Sequence, residues 1–125
     1  MAVILVVDDL EKLRSIVAAI LVSAGHQAIS AADGKEALKI LAERHVDLVV
    51  TDILMPEKDG ADLIVELRER GDRRPIIAVS AGGEGLTRGE ALFMPEKFAD
   101  MVLEKPFSRD ALITAVDTLL DKSTS

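Results

Sequence analysis

The stretch Asp47-Leu48-Val49-Val50-Thr51-Asp52 decides the fold. Its apolar run, β-branched at Val49, Val50 and Thr51, has the length of a strand buried on both faces, and it delivers a carboxylate, Asp52, to its carboxyl end. Open α/β sheets place their ligands at that edge. Upstream, Val3-Ile4-Leu5-Val6-Val7 repeats the pattern and ends in Asp8-Asp9. Downstream, Pro75-Ile76-Ile77-Ala78-Val79 delivers Ser80, and the short Met101-Val102-Leu103 is followed at once by Glu104-Lys105-Pro106. Gln27 to Ala31 is a weaker strand candidate.

Helical patterns separate these runs. Leu13, Ile16, Val17, Ile20, Leu21 and Ala24 fall on one helical face closed by Gly25. Asp33, with Glu36 three residues on, can cap a helix bearing Ala37, Leu38 and Leu41. Asp59 can cap one bearing Leu63, Ile64 and Leu67 that ends near Gly71, and Ser108 one bearing Leu112, Val116, Leu119 and Leu120, with Phe107 and Leu112 as a hydrophobic staple. Five strands alternating with helices predict a doubly wound α/β fold with a parallel sheet. One domain over residues 1–125 is expected, with 122–125 as a loose tail.

Composition excludes several classes of function. The formal charge of −7, from 22 acidic and 15 basic side chains, argues against nucleic-acid binding, and three Phe with no Trp or Tyr offer no platform for stacked bases. With no cysteine there is no thiol chemistry, and the apolar run after Met1 is too short for a signal sequence or a membrane span, so a cytoplasmic location is expected. Arg68, Arg70, Arg73 and Arg74 read as a solvated helix end, and His26 and His45 as exposed turn residues.

Parallel strands bring Asp8, Asp9, Asp52, Ser80 and Lys105 to one edge although they span most of the chain. Three crowded carboxylates repel one another, and a divalent cation with oxygen ligands relieves that repulsion; Mg2+, or Mn2+ in its place, suits such a site. Lys105 adds a positive charge for phosphoryl oxygens and Ser80 a hydroxyl donor. A carboxylate nucleophile, a metal and an ammonium together suit formation of an acyl phosphate on Asp52. The competing reading is that strand-end acids such as Asp9 only cap the helix that follows.

Val6-Val7-Asp8-Asp9, Asp52-Ile53-Leu54-Met55-Pro56 with Asp59-Gly60, Ser80-Ala81 and Lys105-Pro106-Phe107, in this order, resemble the receiver domain of two-component response regulators, the CheY-like superfamily, over essentially the full chain. The resemblance implies a flavodoxin-like five-stranded sheet of order 2-1-3-4-5 and Asp52 as phosphoacceptor. It also implies metal ligation by Asp8, Asp9, Asp52 and the Leu54 backbone carbonyl, and conserved roles for Ser80 and Lys105. A cis Lys105-Pro106 bond belongs to the same pattern. The implied partners are a histidine kinase or phosphotransfer protein and a downstream protein, with no membrane and no direct nucleic-acid contact. The implied role is signalling, with no catalysis beyond its own phosphorylation and dephosphorylation; a small phosphotransferase or phosphatase and a phosphorylation-independent binding module are the alternatives.

Two features depart from the family pattern. Val102 stands where an aromatic residue usually reports phosphorylation, three residues before the lysine. Pro95 follows the capping-box match Thr87-Arg88-Gly89-Glu90 after barely two turns, which predicts a short or broken fourth helix between Thr87 and Ala99 and a partner surface particular to this chain.

Overall fold

In the computed structural model, residues 2–52, 60–80, 99–105 and 107–124 are described. Within them lie β1 (Val3–Val7), α1 (Glu11–Ser23), β2 (Gln27–Ala31), α2 (Gly34–Glu43), β3 (Leu48–Asp52), α3 (Gly60–Glu69), β4 (Ile76–Ser80), β5 (Met101–Glu104) and α4 (Arg109–Thr124). The strands form one parallel sheet in the order β2-β1-β3-β4-β5. This is the flavodoxin-like order expected from the resemblance. Of the segment from Thr87 to Ala99 expected to hold a short or broken fourth helix, residues 87–98 lie outside the described residues, as do Leu54 and the Pro106 side of the expected cis bond.

Side chains alternate across the central strands, and both faces are apolar because helices cover both. Leu5, Val7, Val49, Ile76 and Ala78 pack with Ala37 of α2 and with Leu63, Ile64 and Leu67 of α3. Ile4, Val6, Leu48, Val50, Ile77 and Val79 pack with Leu21 of α1 and with Leu112, Ala115, Val116 and Leu119 of α4. Beyond the last apolar residue of each strand, the same alternation places Asp8 and Asp52 on the α1–α4 face. β2 lies at an edge and is buried only at Ala31, which accounts for its weak apolar pattern.

Local signals set the helix ends. Asp33 accepts a hydrogen bond from the Glu36 N–H at 2.9 Å, and Ser108 Oγ accepts one from the Ala111 N–H at 3.0 Å. Gly25 and Gly71 carry φ of 93° and 81°, the left-handed geometry that lets His26 and Asp72 return their N–H groups to Leu21 and Leu67. The N-cap of α1 is Leu10, with no side-chain cap, so the capping reading of Asp9 does not hold. α4 runs to Thr124, so residues 122–124 are helical where a loose tail was expected; each added residue of an established helix gains a backbone hydrogen bond.

At the amino edge of the sheet, side chains serve the first strand residues. Asp47 Oδ2 accepts the Val3 N–H at 2.8 Å, and His26 Nδ1 accepts the Ala2 N–H at 3.2 Å. Asp100 Oδ2 accepts both the Ile76 N–H and Arg68 Nη2 at 2.8 Å. Arg68 also donates to the Asp72 and Arg74 carbonyls, and Arg74 to Asp72 and the Val46 carbonyl. Arg68 and Arg74 are therefore ties from α3 and the turn after it to the segments that open β3, β4 and β5, whereas Arg70, paired with Glu66 one turn back, and Arg73 are exposed as expected. His26, expected exposed, has a side chain only 11% accessible because it plugs the start of β1. His45, 78% accessible, is exposed as expected.

Candidate functional site

The register explains how distant residues meet. Val7 pairs with Thr51, which sets Asp8 beside Asp52; Asp52 pairs with Val79, which brings Ser80 one step beyond. Ser80 pairs with Glu104, so Lys105 leaves the sheet next to it, and the Lys105 N–H donates to the Ser80 carbonyl at 2.7 Å. Asp8, Asp52, Ser80 and Lys105 all sit at this edge without any turn holding two of them together.

Lys105 Nζ donates to Asp52 Oδ2 at 2.8 Å and lies 3.6 Å from Asp8 Oδ2. Asp8, Asp9 and Asp52 each offer a carboxylate oxygen within 4.8 Å of the others. Asp8 and Ser80 are buried, Asp52 and Lys105 are partly buried, and Asp9 is exposed. Beside them an apolar cavity of about 500 Å³ opens between α1 and Phe107, walled by Val6, Leu13, Val17, Val50 and Val79.

Burial raises the Asp8 carboxyl above its ordinary value, with the Asp52 and Asp9 charges adding to the effect; the Leu10 N–H and Lys105 oppose it without cancelling it. For Lys105, burial works against the charge, but its hydrogen bond and attraction to Asp52, and then to Asp8, outweigh it and raise the ammonium's value. The Asp8 shift has a consequence for stability. A carboxyl whose folded value lies above its unfolded one favours folding when protonated, so its contribution falls as pH rises from the ordinary carboxylate range through the raised value, and remains lost above it. Asp8→Asn is therefore expected to raise Tm at neutral pH without divalent cation, and to narrow the difference toward acid pH. Thermal unfolding at several pH values checks this; a lower Tm at pH 7 would contradict it.

The donor set fits a hard divalent cation: three carboxylates that offer oxygen ligands only, with Asp9 exposed and Asp52 partly exposed so that positions remain for water or a phosphoryl oxygen. Leu54, the fourth expected ligand, lies outside the described residues. Val102 packs, half-buried, against the α2–α3 core, on the opposite face from Asp52. Arg14, which no motif singled out, donates from Nη1 to the Asp8 carbonyl at 2.7 Å.

A doubly wound sheet with an acid cluster and a lysine across its switch point defines an α/β domain with an acidic pocket at the carboxyl edge of its sheet. Comparison with known proteins gives the family: the model of the response regulator receiver domain matches residues 4–117. The chain is 40% identical over 120 residues to a probable transcriptional regulator, ycf27, of Cyanophora paradoxa, covering 96% of this chain and 48% of that one. The receiver domain of Francisella response regulator 1452 superposes with a TM-score of 0.88 at 32% identity, covering 98% and 99% of the two chains. Response regulator TrrA of Thermotoga maritima, solved in complex with Mg2+-BeF, superposes with a TM-score of 0.84 at 31% identity over 95% and 99%. The chain belongs to the response-regulator receiver family of two-component signalling. Domains of this family interact with histidine kinases and are not turnover enzymes in the ordinary sense. This chain spans about half the length of the curated relatives it matches. Several of those carry names of transcriptional regulators, so the charge argument against nucleic acid bears on these 125 residues alone and does not exclude such a partner. Among the described residues no helix is long and apolar enough to cross a membrane.

Proposed function

We propose that Asp52 accepts a phosphoryl group from a histidine kinase or phosphotransfer protein, and that the chain passes on the resulting state by binding a downstream protein. One observation carries this reading: Lys105 Nζ sits 2.8 Å from an Asp52 oxygen inside a cluster of three carboxylates. A lone carboxylate repels an incoming phosphoryl group, whereas one bonded to an ammonium presents a nucleophilic oxygen beside a charge that binds the phosphoryl oxygens. An Asp52 oxygen attacks phosphorus, the bond from phosphorus to the donor nitrogen breaks, and the departing imidazole keeps the electron pair. Lys105 turns from Asp52 to the new phosphoryl oxygens, and Ser80 donates its hydroxyl to another.

Asp8, Asp9 and Asp52, with the Leu54 carbonyl, would hold Mg2+ or Mn2+, which neutralises charge on the phosphoryl group when bound. The Thermotoga maritima relative solved with Mg2+-BeF supports that choice. The domain promotes only its own phosphorylation and dephosphorylation, works in the cytoplasm, and occupies 1–125 as one unit. With Val102 in place of an aromatic, the altered contacts of Ser80 and Lys105 pass to the adjoining β5 face and the segment expected as a fourth helix.

Mass spectrometry after reaction with a small phosphodonor and Mg2+ tests this. One phosphoryl group per chain is expected, lost in Asp52→Asn. Continuous phosphate release over many turnovers would favour an enzyme, and an unmodified Asp52 would overturn the proposal in favour of a phosphorylation-independent module.

A further inference from the structure

Asp9 is exposed, and among the described residues its carboxylate makes no hydrogen bond or ion pair, yet it lies within 4.8 Å of Asp8 and Asp52 oxygens. The direction in which the backbone leaves β1 sets how near it comes to those two like charges. β1 ends at Val7, and where its ladder stops the Asp8 N–H still donates to the Ala31 carbonyl at 3.2 Å. The Asp8 carbonyl takes its donor from Arg14 Nη1 at 2.7 Å, a short, charge-assisted bond. That carbonyl and the Asp9 N–H belong to one planar peptide, so the bond sets the direction in which Asp9 leaves the strand. Asp8 Oδ1 is itself occupied by the Leu10 N–H at 2.9 Å, leaving Oδ2 toward Lys105 and the pocket.

We propose that Arg14 is a positioning residue of the acid pocket: its guanidinium clamps the Asp8–Asp9 peptide and so aims both carboxylates at a common divalent cation. Arg14 is suited to this because it lies in the first turns of α1, with its own N–H donating to the Leu10 carbonyl at 3.0 Å, and its side chain reaches back over the strand end. The clamp acts on the peptide, while the charges that shift the Asp8 carboxyl are those of Lys105, Asp52 and Asp9. Groups that orient metal ligands in this way change affinity for the ion more than the chemistry that follows. The inference rests on the proposed cation site and deepens it.

The test uses the full chain, with Mn2+ binding followed by electron paramagnetic resonance and Mg2+ binding by calorimetry. Arg14→Met is expected to weaken both by about tenfold. The Mg2+ concentration for half-maximal labelling from a small phosphodonor should rise by the same factor, with the rate at saturating Mg2+ close to wild type. Arg14→Lys, which keeps a cationic donor on a long stem, is expected to lose less and serves if the methionine variant does not fold. Arg109→Met, which removes an arginine bonded to Ser23 Oγ at 3.0 Å, should leave Mn2+ affinity unchanged. Wild-type affinity in folded Arg14→Met, a loss in Arg14→Lys as large as that in Arg14→Met, or an equal loss in Arg109→Met overturns the proposal. Failure of the wild-type chain to bind Mn2+ removes the cation site itself, and the proposal with it.

Discussion

Lys105→Met is expected to slow labelling of Asp52 from a small phosphodonor by roughly a hundredfold to a thousandfold at saturating Mg2+, the usual loss when one donor aimed at developing charge is removed. The side chain keeps its length and apolar stem, so the change isolates the ammonium. Lys105 is the cation bonded to Asp52 at 2.8 Å and placed 3.6 Å from Asp8. Without it the Asp8 carboxyl, raised already by burial, moves further up, because an opposing attraction is gone. The variant should therefore unfold at a lower temperature than wild type at neutral pH and recover part of the difference as pH falls and the acids are neutralised. Phosphorylation kinetics and a pH series of thermal scans check both parts. Labelling within a few-fold of wild type would show that the lysine does not serve the phosphoryl group.

The second large effect concerns the sheet that holds these groups in register. Leu5 of β1 is fully buried, between Val7 and the residues of α2 and α3. Leu5→Ala is expected to destabilise the domain by about 2 to 5 kcal/mol, from lost transfer energy and the cavity left behind. For a domain of this size that is a fall in Tm on the order of 10 °C. Val22, 58% accessible on α1, gives the contrast: Val22→Ala should stay within about 0.5 kcal/mol of wild type. Thermal or urea unfolding measures both, and similar losses for the two variants would mean that the burial pattern does not describe the core.

Strand identity was legible because the apolar runs are continuous, and helix ends because Asp33, Ser108, Gly25 and Gly71 act within a few residues of themselves. The meeting of Asp8, Asp52, Ser80 and Lys105 was legible for another reason: parallel strands bring every carboxyl end to one edge, whatever the separation along the chain. Partnerships that cross elements without such a rule were not. Arg68 looks like any charged residue near a helix end until Asp100, far along the chain, comes to the start of β5 beside it. His26 carries no local sign that it will accept the Ala2 N–H, and Arg14 none that its guanidinium will turn back to Asp8. The weak pattern of Gln27 to Ala31 was correct evidence read at half strength, since an edge strand has fewer buried positions.

The two ends of the sheet are electrically unlike. At the end where the strands begin, Asp47, Asp72 and Asp100 are neutralised by backbone amides, arginines and a histidine. At the end where they finish, among the described residues, the Lys105 ammonium faces the carboxylates of Asp8, Asp9 and Asp52. The first acts as a keel and the second as a loaded spring, and their separation by the length of five residues of strand means that substitutions can retune melting behaviour at one pole while the reactive pole keeps its chemistry.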